Sequence, residues 1–366
     1  MQNNCEKQDK DKEIESNSKN PIPIVENEKK DDDHKKEKTQ LKVNKNILKK
    51  INEEKLISLA KLDYLKFNYS NINKQGSEQW YNKRKSRFGG SELYHVIFSK
   101  NPETVEKLII EKQKSYSEKE KDKNLYCYWG NIFEKVVIDW LQNNKELNIE
   151  TFSNIACSNL PFAYSPDGLF ISPINGKLYL LEIKCPFLKE YNKNKINKKY
   201  ITQVQCGMHI LPIEDCLFIT AIFRKCSLED IINEDKKYHY DFDYHKKIIN
   251  NKKNTYYYKP NAKDNHNYLF DGLIYWENNN MKELIESFEP SIDLNPLVFV
   301  SYSFNIKDVF MQLKDKKGYY MFFKCFGINE DYIEKDKDYF NKNNIIKKLW
   351  LNNSKLIQKF NELNKN

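Results

Sequence analysis

The sequence predicts a mixed α/β domain in which helices pack against a sheet of parallel and antiparallel strands. Apolar residues recur at helical spacing in Leu48, Ile51, Leu56, Leu59 and Leu62, and again in Phe133, Val136, Val137, Trp140 and Leu141. Leu178 to Ile183 and Cys216 to Phe223 are apolar runs of strand length. Along the chain these signals fall in the order helix, strand, strand, helix, strand, which suits helices laid against one sheet.

Taken in order, residues 1–41 are Lys, Asp, Glu, Asn and Gln with almost no apolar residue outside Ile22 to Val25. Such a segment cannot bury enough surface to offset its ordering entropy and is expected to be a disordered, charged tail. Residues 42–228 hold the predicted core. Its first helix surrounds Leu48 to Leu62, and its second places Glu134 at the edge of an apolar face. A strand through Phe162 and Ala163 ends in the turn Ser165-Pro166-Asp167-Gly168, and the strand from Leu178 is stopped by Pro186. Tyr200 to Leu211 has helical spacing. Residues 229–315 read as an insertion of Lys, Asn and Tyr with apolar islands at Leu269 to Trp276 and Leu297 to Phe304. Residues 316–366 complete the domain with a strand at Tyr319 to Phe326 and a helix carrying Ile345, Ile346, Leu349, Trp350 and Ile357.

With 366 residues, 39% of them hydrophobic and 14% aromatic, the chain can bury one large core or two modest ones. Its net charge of +9 favours a polyanionic partner, although abundant Lys also reads as an ordinary solvated surface. Eight cysteines without a CxxC pair read as reduced thiols and exclude a zinc-finger arrangement. Cys5, Cys127, Cys185 and Cys206 lack the grouping an iron–sulfur cluster needs. No run approaches the roughly 20 apolar residues that span a bilayer, so a soluble, intracellular protein is expected, with no membrane partner.

The chemistry is concentrated around Asp167 and the Glu182-Ile183-Lys184 triplet. Strand alternation puts Glu182 and Lys184 on one face and turns Ile183 into the core. Two carboxylates from neighbouring strands offer hard oxygens to Mg²⁺ or Mn²⁺, with the Ile183 carbonyl as a third oxygen. A lysine beside them can orient a water, and phosphodiester hydrolysis needs these parts. Each piece has an everyday structural explanation, since Pro-Asp-Gly is a common turn and Glu-x-Lys a common strand end. Their joint order, followed by a helix bearing Gln203 and Gln205, is what separates a site from two coincidences. His95 and His209 lack partners at metal-ligand spacing, and Trp80 and Trp129 read as core anchors.

Six blocks in order resemble the YqaJ-like viral recombinases and phage lambda exonuclease, a branch of the restriction-endonuclease-like PD-(D/E)XK nucleases. They are Gln75-Gly76-Ser77-Glu78-Gln79-Trp80 with Arg84, Gly90-Ser91-Glu92, Trp129-Gly130 with Glu134, Ser165-Pro166-Asp167-Gly168, Glu182 to Phe187, and Tyr200 with Gln203-Val204-Gln205. The resemblance covers about Gln75 to Phe223 and resumes at Ile333 to Asp336. It implies a Mg²⁺- or Mn²⁺-dependent exonuclease digesting duplex DNA ends 5′-to-3′ in recombination or repair. In it Asp167 and Glu182 are metal ligands, Lys184 orients water, Glu134 lines the site and Gln203 packs against it. Arg84, Ser91 and Ser165 match a 5′-phosphate pocket. A further basic residue of that pocket falls on Glu190, with Lys189 beside it as the nearest substitute. A homo-oligomeric ring and a single-strand annealing protein are the partners the resemblance implies. The rival readings are a non-cleaving DNA-binding or annealing partner of the same fold, and another PD-(D/E)XK endonuclease.

Overall fold

A computed structural model describes residues 30–69, 78–115, 125–187, 196–226, 228, 231, 269–277, 297–302, 305–316 and 318–363. The chain divides into two units, residues 1–50 and 51–366; the sheet, cores and site described below belong to the second. Helix α1 (Lys30–Tyr69) begins inside the segment expected as a tail and extends beyond the apolar period around Leu48 to Leu62 at both ends. Its Lys and Glu content favours helix without needing a buried face. From Ile51 onward it buries Ser58, Leu62 and Leu65.

Among the described residues, the main sheet has six strands in the order β4-β5-β6-β9-β7-β8. Strand β4 (Gly168–Ile171) forms an antiparallel hairpin with β5 (Leu178–Lys184). Helix α6 (Lys198–Ile210) then returns the chain so that β6 (Asp215–Cys226) lies parallel to β5. Asn197 caps this helix by accepting a 2.9 Å bond from the Lys199 N–H. Strand β9 (Tyr319–Glu334) runs antiparallel to β6 and also to β7 (Phe270–Trp276), which pairs with β8 (Leu297–Val300). The pairing of β6 with β9 shifts register between Ile222 and Phe223, a bulge that increases local twist. Both apolar islands of the expected insertion are thus strands of this sheet, and Tyr319 to Phe326 is the first half of a strand continuing to Glu334.

Strand β5 shows why this sheet is buried on both faces. Tyr179, Leu181 and Ile183 pack with Phe133, Val136, Val137 and Leu141 of α5 (Leu125–Asn144). The alternate residues Leu178 and Leu180 pack with Val204 and Met208 of α6 and Leu62 and Leu65 of α1. Each such side chain contributes about 1.5–3 kcal/mol by leaving water. A third core joins α3 (Leu93–Phe98), α4 (Pro102–Gln113) and α8 (Ile345–Leu363), and a fourth lies under β7 and α7 (Ile306–Leu313). No described helix is long and apolar enough to cross a membrane.

A smaller sheet lines up the chain ends that build the site. Strand β1 (Phe88–Gly89), which follows α2 (Glu78–Arg84), lies parallel to β3 (Phe162–Tyr164), while β2 (Ile155–Ala156) pairs with β3 on its other side. The register Gly89 to Ala163 brings Gly90-Ser91 alongside Tyr164-Ser165.

Gln205 ties α6 to the far end of β9: its Nε2 donates to the Glu334 carbonyl and its Oε1 accepts from the Asp336 N–H, both at 2.9 Å. Gln205→Leu keeps the buried volume but strands both backbone groups. It is expected to cost about 2–4 kcal/mol in urea unfolding; a loss below about 0.5 kcal/mol, the range of ordinary surface changes, would show that the clasp carries no stability.

Candidate active site

The Glu182 side chain has no exposure to solvent. A carboxylate there is tolerable only if donors replace its lost water. Three do: the Tyr164 hydroxyl, the Lys184 ammonium and the Gln203 side-chain amide. Tyr164 reaches it because its ring lies between two glycines. A Cβ on Gly90 would stand 2.6 Å from Tyr164 Cδ2, and one on Gly207 would stand 2.6 Å from Cε1. Any larger residue at either place would displace the ring.

Asp167 leaves the turn after β3, and its Oδ2 accepts a 2.7 Å bond from the Ile183 N–H. That bond ties the turn to β5 and fixes Asp167 beside Glu182. Burial raises the proton affinity of Asp167 well above the ordinary carboxylate range, and the nearby Glu134 and Glu182 raise it further. Glu134, on α5, is lifted to about 7, first by burial; Lys184 pulls it down and Glu182 pushes it up. Lys184 keeps its proton more tightly than an ordinary lysine: burial opposes the charge, and Glu182, Asp167 and Glu134 more than offset it. Its ammonium also sits 5.8 Å from the centre of the Tyr200 ring.

These groups border a cavity of about 640 Å³. Glu134, Asp167, Lys184 and Gln203 line it, and so do Arg84, Ser91 and Ser165. Ser165 donates to Asn154 Oδ1 at 3.4 Å, so Asn154 also belongs to the wall. Behind Arg84, the Glu92 carboxylate accepts from the Gly89 N–H at 2.7 Å and from Lys112 at 2.9 Å.

The donors suit a hard divalent cation in kind, and the mutual repulsion of Glu134, Asp167 and Glu182 is what a cation would relieve. In this arrangement, however, no group of three His, Cys, Asp or Glu among the described residues is disposed to hold a metal. Protein donors occupy Glu182, and one oxygen of Asp167 accepts from the Ile183 N–H. The Ile183 side chain is buried in the core, as strand alternation requires.

Of the residues singled out in the sequence, Arg84, Glu134, Ser91, Ser165, Asp167, Ile183, Lys184 and Gln203 meet at the cavity, with Glu182 directly behind. Lys189, Glu190 and Gln75 to Ser77 lie outside the described residues. Trp129 is in the core, 5.0 Å from the Phe187 ring. His209 packs beside the stacked Phe162 and Phe340 rings, 4.5 Å from the latter, and His95 packs edge-on to Tyr94. Tyr164 and Asn154 were not legible as site residues. The only available signal for Tyr164 was its place immediately before Ser165-Pro166-Asp167.

Residues 79–213 match the family model described as the YqaJ-like viral recombinase domain. Among solved structures, the chain is similar to the alkaline exonuclease LHK-Exo from Laribacter hongkongensis, at 20% identity and a TM-score of 0.33, covering 40% of this chain and 74% of that one. LHK-Exo in complex with dAMP gives 20% identity and a TM-score of 0.33, covering 39% and 73%. No curated protein matches the chain.

The raised proton affinity of Glu134 has a stability consequence. Between its ordinary value near 4.5 and its folded value of about 7, the folded state holds a proton that the unfolded chain has released. Stability therefore falls as pH rises through that window. In EDTA-treated protein, Glu134→Gln should remove this decline and gain on the order of 1 kcal/mol at pH 8, discounted for partial exposure. Parallel urea-unfolding profiles of the two proteins from pH 5 to 8 would contradict the repulsion inferred here.

Proposed function

We propose that this chain, whose residues 79–213 match the YqaJ-like viral recombinase domain, is a metal-dependent deoxyribonuclease that digests duplex ends 5′-to-3′. The observation that carries this reading is the buried Glu182 carboxylate, held by Tyr164, Lys184 and Gln203 beside Asp167 and Glu134, at a cavity also lined by Arg84 and two serines. A purely structural strand end would have no cause to gather three carboxylates. The product strand would pass to recombination or repair, where a single-strand annealing protein is the expected partner.

Each residue has a role derived from its contacts. Asp167 and Glu182, with the Ile183 carbonyl, would hold Mg²⁺ or Mn²⁺. The cation supplies neutralisation of charge on the phosphate and a more acidic water. Lys184 keeps its proton and holds the attacking water by donating to it. Gln203 and Tyr164 fix the Glu182 carboxylate, and Glu134 can accept a proton near neutral pH. Arg84 grips a terminal phosphate through two guanidinium donors while Ser91 and Ser165 donate hydroxyls. A terminal phosphate carries more negative charge than an internal diester, so this wall would select ends.

A non-cleaving DNA-binding protein is the second reading, favoured by the occupation of Glu182 by protein donors. Digestion of a 5′-phosphorylated duplex decides between them. With Mg²⁺ or Mn²⁺ the intact protein should cleave; with Ca²⁺ or EDTA it should not. Asp167→Ala and Glu182→Gln should each lower the rate at least about a hundredfold, the equivalent of about 2.7 kcal/mol, while duplex affinity is retained. Full cleavage in EDTA, or by both variants, would overturn the nuclease site. Binding without cleavage under every metal condition would establish the second reading.

A further inference from the structure

One glycine at the cavity has no explanation in the fold. Gly130 lies inside α5, more than a turn from either end, and lines the cavity together with Asn131 and Glu134. Glu134 follows Gly130 by four residues and Asn131 by three, so the three share one face of the helix. Trp129, Ile132 and Phe133 pack into the core instead. Glycine weakens a helix interior relative to alanine, and it is kept there for close packing, for a positive φ or as a cap. None of these applies to Gly130. A Cβ there would meet no described atom within 4 Å, its φ is not positive, and the position is no cap. Gly90 and Gly207 differ, because a Cβ at either would stand 2.6 Å from the Tyr164 ring. Gly130 therefore weakens its helix and leaves the backbone bare on the cavity side, one turn before Glu134.

We infer that Gly130 is a clearance position for the substrate: the deoxyribose–phosphate chain of the strand being cut passes against this bare turn of α5 beside the carboxylates. The inference rests on the reading of the cavity as a nuclease site. A diester is attacked while the chain continues from it, so a nuclease needs room for polymer next to its carboxylates as well as for one phosphate. A helix turn without a side chain lets a sugar approach the backbone to van der Waals distance, in the volume that a leucine would fill. Asn131 is exposed beside it, and its amide is a donor of the kind that meets phosphate oxygens. Residue 130 thus contributes no charge and no proton. It determines specificity through the volume it leaves open.

The test uses the full chain with Gly130→Ala and Gly130→Leu, and reads urea unfolding together with affinity for a short duplex by fluorescence anisotropy in Ca²⁺. Both substitutions favour helix, so both variants should unfold at an equal or higher urea concentration than the intact protein. Duplex affinity should fall all the same, about threefold for Gly130→Ala and at least about tenfold for Gly130→Leu. A fold that holds or strengthens while the substrate is lost is the signature of clearance, since a glycine needed for packing would lose stability first. A lower urea midpoint in Gly130→Ala would show that the fold needs the glycine and would overturn the inference. Unchanged duplex affinity in a folded Gly130→Leu would overturn it too. If Gly130→Leu does not fold, Gly130→Ala decides alone, and an affinity equal to that of the intact protein rejects clearance. The premise fails in a different way: an intact protein that neither binds nor cleaves duplex removes the nuclease reading, and this inference with it. An intact protein that binds and cleaves, with both Gly130 variants its equal, removes this inference alone.

Discussion

The arrangement depends on one buried negative charge. Glu182 sits in the middle of a sheet whose neighbouring positions on β5, Leu181 and Ile183, are packed among aromatic and aliphatic side chains. Moving an ionised carboxylate from water to such a place costs several kcal/mol even after relaxation, and only well-placed donors recover it. Each donor comes from a different part of the chain: Tyr164 from β3, Lys184 from β5 itself, Gln203 from α6. The requirement to satisfy one side chain therefore fixes the mutual position of three elements. It also explains the two glycines, since Gly90 and Gly207 are where the Tyr164 ring must pass.

Once these elements are fixed, the approach of Ser91 and Ser165 to the cavity follows from register. The parallel pairing of Phe88-Gly89 with Phe162-Ala163 is short, yet it sets Ser91 and Ser165 at corresponding places beyond two neighbouring strand ends. Arg84, at the end of the helix before that strand, is secured through its carbonyl by Lys112. A long-range contact between α4 and α2 thus controls a position that local sequence around Arg84 does not specify.

How much of this was legible in the sequence varied with the range of the interaction. Strand β5 was readable because its alternation and its stop at Pro186 are local properties, and the grouping of Glu182 with Lys184 follows from the same two-residue period. Asp167 was readable from its turn. Tyr164 was hidden because an aromatic residue in a strand has an ordinary core explanation, and only its hydroxyl partner eighteen residues away distinguishes it. The apolar islands around Leu273 and Val298 could not be recognised as continuing the same sheet. The first pairs with β9, which lies beyond it in the chain, and the second joins the sheet only through the first, and pairings made at such distances leave no periodic trace.

The cavity lining carries both carboxylates and a guanidinium, and the end of β3 contributes two consecutive residues to it. Tyr164 and Ser165 are consecutive residues where β3 ends, and consecutive residues of an extended chain face opposite ways. Tyr164 donates to the Glu182 carboxylate, and Ser165 donates to Asn154. The carboxylate side repels an incoming phosphate unless its charge is neutralised, whereas the Arg84 side attracts one. An anion entering the cavity is therefore drawn towards Arg84 and away from the carboxylates while these carry their charge. Ser165 and Asp167 stand two residues apart and both line the cavity, so the Ser165-Pro166-Asp167 segment joins the hydroxyl to the carboxylate.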